Sequence, residues 1–178
     1  MPHPSKQDLS AVCKHQHLVT LKRRGRMSDV EGYVVGIGKQ WIAVLAVHDS
    51  LYDGHVLLRR DDLRSLGKPV SEPSLTQRFL ELDDRWPPRA PETLDLHDAR
   101  SVAFTAGGLT TLLAMYRERR RPCKFVVGRV ERITTRRIEF LDVTPKGRWG
   151  KPSELRLEQL TKLVLWDPYV EKLAALLR

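Results

Sequence analysis

The chain has 178 residues, 41% of them apolar and 30% charged, proportions that exclude collagen-like, coiled-coil and wholly disordered chains. No run approaches the roughly 18 consecutive apolar residues of a membrane span, and Met1-Pro2-His3-Pro4-Ser5-Lys6 lacks the apolar stretch of a secretory signal. Two cysteines, Cys13 and Cys123, and a net charge of +9 point to a soluble, cytoplasmic protein whose field attracts polyanions or an acidic partner.

In chain order, Ser5–Gln16 reads as a short helix, with Leu9, Val12 and Cys13 at helical spacing. Leu18–Arg23 is a β-rich run closed by a turn around Gly25, and Val30–Gly38 and Trp41–Val47 follow as strands. The last of these is apolar at every position, which predicts cover on both faces. Asp53-Gly54 is a turn signal, with His48–Gly54 as the loop around it, His55–Arg60 as the fourth strand and Leu63–Leu66 as a short fifth. Gly67–Thr93 holds five prolines and reads as a linker with a helical turn at Leu75–Leu82. Leu94–Ala106 suits a second short helix. Thr111–Arg117 is open to two readings: local propensity favours helix, and comparison with Leu18–Arg23 favours strand. Cys123–Ile133, Arg137–Val143, Glu154–Leu157 and Leu160–Leu165 complete the strands. Asp167 as N-cap and Pro168 behind it open a C-terminal helix through Leu177.

The comparison rests on an internal repeat. A shift of 96 residues lays Gly32–Val47 on Gly128–Val143 without a gap, matching Val34 with Val130, Ile42 with Ile138 and Leu45 with Leu141. One inserted residue later, Leu58-Arg59 falls on Leu155-Arg156 and Leu63 on Leu160. The expected architecture is therefore mainly β. Residues 1–66 form one five-stranded unit with its helix, 67–93 an acidic Pro-rich linker, and 94–178 a second unit with the C-terminal helix.

A short helix, five bent strands and the stretch Leu58-Arg59-Arg60-Asp61-Asp62-Leu63-Arg64-Ser65-Leu66, echoed at Leu155–Leu163, resemble the Sm-like (LSm) small β-barrel, a relative of SH3-like barrels. The pattern is also similar to bacterial proteins that carry one or two such barrels. The resemblance implies two barrels and an RNA-binding role. Sm proteins hold a base with an acidic residue and an Asn between strands two and three. Gly38-Lys39-Gln40-Trp41 and Thr134-Thr135-Arg136-Arg137 contain neither, so the resemblance carries the fold rather than that pocket.

Charge supplies the candidate site. Residues 67–98 hold 4 basic and 7 acidic side chains, whereas 99–178 hold 17 and 8. Two basic turns stand out, Lys22, Arg23, Arg24 and Arg26 in the first unit and Arg119, Arg120, Arg121 and Lys124 in the second. Guanidinium forks suit phosphate oxygens and bind without reading sequence. Arg129, Arg132, Arg136 and Arg137 extend the second group, and Trp41 beside Lys39 and Trp149 beside Arg148 offer base-stacking faces. The expected function is a non-catalytic protein that binds RNA or single-stranded DNA, with neither cofactor nor metal. The alternative is a protein-interaction adaptor that uses barrel edges and the C-terminal helix, homo-oligomers included. Cys13-x-His15-x-His17 lacks further ligands at metal-site spacing. His48, Asp49, Tyr52 and Asp53, with Ser50 or Ser28, show no spacing that assembles a nucleophile, base and orienting group.

Overall fold

The computed structural model describes residues 4–70, 73–119 and 122–177. Among these residues, ten antiparallel strands form one unclosed sheet. The first five are β1 (Leu18–Arg23), β2 (Val30–Ile37), β3 (Trp41–His48), β4 (Leu51–Arg59) and β5 (Leu63–Leu66). The second five are β6 (Leu113–Arg117), β7 (Lys124–Ile133), β8 (Arg137–Val143), β9 (Trp149–Arg156) and β10 (Lys162–Leu165). Their spatial order, β5-β1-β2-β3-β4-β10-β6-β7-β8-β9, is the same five-strand order twice. A 3-10 turn joins the last two strands of each half, at Arg60–Asp62 and Leu157–Gln159. The halves meet where β4 pairs with β10, Leu58 opposite Lys162 and Val56 opposite Val164. All ten strands thus belong to one sheet rather than to two separate ones.

Register repeats along with order. The β2–β3 ladder shifts between Val34 and Gly36, and the β7–β8 ladder shifts between Val130 and Arg132. A second shift recurs between Leu45 and Val47 and between Leu141 and Val143. Bulges of this kind bend strands, so both halves curve at matching places. The sequence of 113–117 has good helix propensity, yet it pairs with β7 and β10 as a strand. Tertiary pairing outweighs a preference of a few tenths of a kcal/mol per residue.

One expectation is corrected at the β3–β4 hairpin. Asp53-Gly54 lies inside β4, and the chain reverses at Asp49-Ser50, both at positive φ (49° and 66°). Gly54, at φ 89°, keeps the left-handed backbone that marks a turn, but a Cβ there would stand 2.6 Å from the Leu165 carbonyl oxygen. Its job is close approach to the strand across the seam.

Among the described residues, four helices cover the sheet: α1 (Lys6–Lys14), α2 (Leu75–Leu82), α3 (Ala99–Leu109) and α4 (Pro168–Leu176). Ser5 and Asp8 form a capping box on α1, and Asp98 and Asp167 cap α3 and α4. None of the described helices is long and apolar enough to cross a membrane. Every residue from Trp41 to Val47 is buried. Ile42, Val44 and Ala46 join a core with Leu9 and Val12 of α1 and Val170 and Leu173 of α4. Trp41 and Ala43 join another with Val102 and Ala106 of α3, and Leu45 and Val47 pack with Leu80 of α2. The matching face of β8 lacks such cover, and there ion pairs replace apolar contacts: Arg129–Glu131 along β7, and Arg132–Glu139 and Arg137–Glu154 across strands.

His55, buried in β4, fastens the linker to the first half. Its Nε2 lies 3.0 Å from the Arg89 carbonyl, and its Nδ1 lies 3.0 Å from the Tyr52 hydroxyl. A carbonyl only accepts, so Nε2 carries the hydrogen and Nδ1 accepts from Tyr52. Burial pushes the imidazole below its usual 6.5; the Arg89 hydrogen bond works against that shift and the Arg85 charge adds to it. The unfolded chain therefore takes up this proton first. Stability holds above about pH 6.5 and declines as pH falls from there towards the depressed folded value. Urea unfolding at pH 7.5, 6.5 and 5.5 should show that decline, and His55→Leu should flatten this part of it.

Candidate nucleic-acid interface

Both basic turns border one cleft. Arg23 ends β1, and the chain then turns through Gly25 at φ 66°. The second turn follows β6. Together they line a cavity of about 500 Å³, with Arg24, Arg26 and Met27 on one side and Glu118, Arg119 and Cys123 on the other. Asp61 and Asp62 of the first 3-10 turn complete it. The backbone N–H of Arg24 donates to the Asp62 carbonyl at 2.8 Å, which seats the first turn against that 3-10 turn.

Not every predicted cation is available there. The Arg23 side chain is wholly buried and forks onto Glu118, donating to Oε1 at 2.9 Å and to Oε2 at 2.6 Å. The Thr161 hydroxyl stands 2.7 Å from the same Oε2. Arg119 donates through Nε and Nη2 to Asp62 Oδ1, at 2.9 and 2.7 Å, while staying partly exposed. These pairs bolt the two halves together. Trp41 is 0% exposed and presents no face to a base, because the second half and α3 pack over it. Lys22, Arg24, Arg26, Lys39, Lys124 and Arg136 are exposed and have no ion-pair partner among the described residues. Arg120 and Arg121 lie outside the described residues.

A second cleft, of about 450 Å³, gathers Arg136, Arg137 and Arg156 beside Thr135 and the second 3-10 turn. Arg137 is held by Glu154 and Arg156 by Glu158. Arg59, which ends β4 just before the first 3-10 turn, reaches across to the second, and charge patterning alone did not single it out. Its guanidinium lies 5.4 Å from the Trp41 ring centroid and donates to the carbonyls of Leu160 (2.6 Å) and Leu157 (2.7 Å). The signal for it was the repeat itself, which sets Arg59 on Arg156. On the other flank, Arg60 donates to the Gly38 and Lys39 carbonyls at 3.2 Å each. The basic turns and the Lys39 turn are thus hydrogen-bonded to the first 3-10 turn, and the Arg136–Arg137 turn to the second.

The remaining candidates stay apart. His48 and Asp49 sit on the exposed hairpin tip, 3.6 Å from one another. Tyr52 is engaged with His55, and burial, ahead of the neighbouring charges, pushes its hydroxyl up to about 12. Asp53 is raised chiefly by burial and then by the nearby Asp167 charge. Among the described residues no three His, Cys, Asp or Glu side chains are grouped to hold a metal ion. No family of proteins, curated protein or solved structure matches the chain.

Proposed function

We propose that the chain is a non-catalytic protein that binds RNA or single-stranded DNA, and that its two halves are Sm-like units. The fold reading rests on the repeated strand order, the short helix ahead of each half and the 3-10 turn before each last strand. The functional reading rests on one observation: two basic turns about a hundred residues apart in sequence line one cleft. Arg24 and Arg26 of the cleft, with Lys124 next in sequence to its lining residue Cys123, supply phosphate contacts, while Arg23 and Arg119 hold the cleft's shape through Glu118 and Asp62.

Labelled mixed-sequence single-stranded RNA, followed by fluorescence polarisation across a salt series, tests this. The logarithm of the affinity should fall linearly with log salt, with a slope near −0.7 per phosphate neutralised. Arg24→Ala/Arg26→Ala/Lys124→Ala should weaken binding by about tenfold or more and flatten the slope by about 2. Removing Lys6, Lys14 and Lys172, which stand on α1 and α4 and do not line the cleft, should do far less. No binding at low salt, where attraction is strongest, would overturn the reading and direct the search to a protein partner. Single-stranded DNA of matched sequence separates the two nucleic acids.

A further inference from the structure

The seam states the rule by which this sheet could grow. It sets the fourth strand of one half, β4, against the last strand of the other, β10. The same operation applied again would set β9 of one chain against β5 of the next. Contacts of that head-to-tail kind close into rings or run on as filaments. Both β9 and β5 end the sheet, each with one side unpaired among the described residues. Whether copies add there depends on how far the outer edges preserve what the seam uses.

They preserve little of it. β4 offers His55, Val56, Leu57 and Leu58 to β10. At the repeat offset of 97 residues, set by Arg59 on Arg156, β9 offers Pro152, Ser153, Glu154 and Leu155. The Arg59 N–H points across the seam towards the Thr161 carbonyl, at 3.5 Å. Alternate residues point the same way, so His55 shares that direction, and Pro152 at its place has no N–H to give at the free edge. Proline and charge on an edge are the features that blunt edge-to-edge pairing.

The ion pairs change as well. β6 follows β1 by 94 residues, since Val19 and Leu113 pair with the equivalent glycines Gly32 and Gly128. Arg23 therefore corresponds to Arg117, and Glu118 corresponds to Arg24. The buried Arg23–Glu118 fork of the seam would become Arg117 against Arg24 of the next chain, two like charges. Arg24 lies where that meeting would occur, its Nε donating to the Leu63 carbonyl at the start of β5 (3.3 Å). Asp62, the anchor of Arg119, corresponds to Gln159, which carries no charge.

We propose that the chain is a finished pair: its outer edges are built to refuse one another, so its copies do not join through β9 and β5. The proposal does not depend on what the basic cleft binds. Light scattering coupled to size exclusion should give the mass of one chain across a wide concentration range. Native-state hydrogen exchange should leave the Glu154 and Arg156 amides unprotected while Leu57 is strongly protected. A variant carrying Pro152→His, Ser153→Val, Glu154→Leu and Arg24→Glu restores the seam's chemistry at the edges, and its mass should rise to two or more chains with concentration. Protection of Glu154 and Arg156 that grows with wild-type concentration would overturn the proposal. So would a restored variant that keeps the wild-type circular dichroism and unfolding transition yet stays a single chain.

Discussion

Glu118→Ala should destabilise the chain by roughly 3–5 kcal/mol, the cost of leaving the Arg23 guanidinium in the seam without its counter-charge. Arg23 is wholly buried there, and Glu118 nearly so. What remains to the Arg23 guanidinium after the change is the Ser28 carbonyl at 3.3 Å, the Met27 Sδ at 3.3 Å and the Thr161 carbonyl at 3.4 Å. All three are neutral acceptors, and none replaces a carboxylate at 2.6 Å. Glu118→Gln keeps the shape and loses the charge, so it should cost less than alanine. The double change Arg23→Met/Glu118→Leu should lie much closer to wild type, because it removes both desolvation costs together. Acid makes the same point without mutation. Burial alone would raise the Glu118 carboxyl, but the Arg23 hydrogen bond and charge, with the Thr161 hydroxyl behind them, outweigh it and hold the group below its usual 4.5. A lowered folded value means that this stability is complete above about pH 4.5 and is lost as pH falls through the depressed value. Urea unfolding of the four proteins at neutral pH is the measurement. A Glu118→Ala loss below about 1 kcal/mol, the scale of an exposed pair, would mean that the seam does not rely on this fork.

That pair also marks the limit of what could be read from the chain alone. Strands were legible wherever apolar residues alternate or run without break, as in Leu18–Arg23 and Trp41–Val47, because burial on one or both faces leaves that trace. The helix cap at Asp167 was legible as well, because a capping side chain acts on the first turn of its own helix. The seam was not. Val56-Leu57-Leu58 and Leu163-Val164-Leu165 are apolar on both faces, which shows that each is covered, but not that each covers the other. Charge presented the same difficulty. The basic turns were visible as clusters, but which arginines they spend on structure depends on Glu118, 95 residues from Arg23, and on Asp62, 57 residues from Arg119. Asp53-Gly54 misled for a different reason. Left-handed backbone permission serves a turn or a close approach equally well, and only the neighbouring strand decides between them.

Trp41→Ala should cost about 3–5 kcal/mol, the range for removing a buried large aromatic side chain, and its effect should reach both halves at once. The residue opens β3 of the first half, yet it packs into the core that holds Ile138, Phe140, Leu155 and Leu163 of the second. The exchange is mutual, because Leu112, Ala114, Val127 and Val164 of the second half sit in the core of the first. The indole also lies beside Arg59, whose guanidinium bridges the Leu157 and Leu160 carbonyls, so truncation loosens that bridge as well as opening a void. Trp41→Phe separates packing from polarity. The buried indole N–H has no acceptor among the described residues, and deleting it returns part of a penalty of roughly 1–3 kcal/mol. Phenylalanine should therefore lie within about 1–2 kcal/mol of wild type, well above alanine. Because the cores interlock, calorimetry should record one transition in all three proteins, with the alanine variant shifted by about 2–4 °C per kcal/mol. Two transitions, with only the first displaced by Trp41→Ala, would mean that the halves hold separate cores and that the seam is a contact between independent folding units.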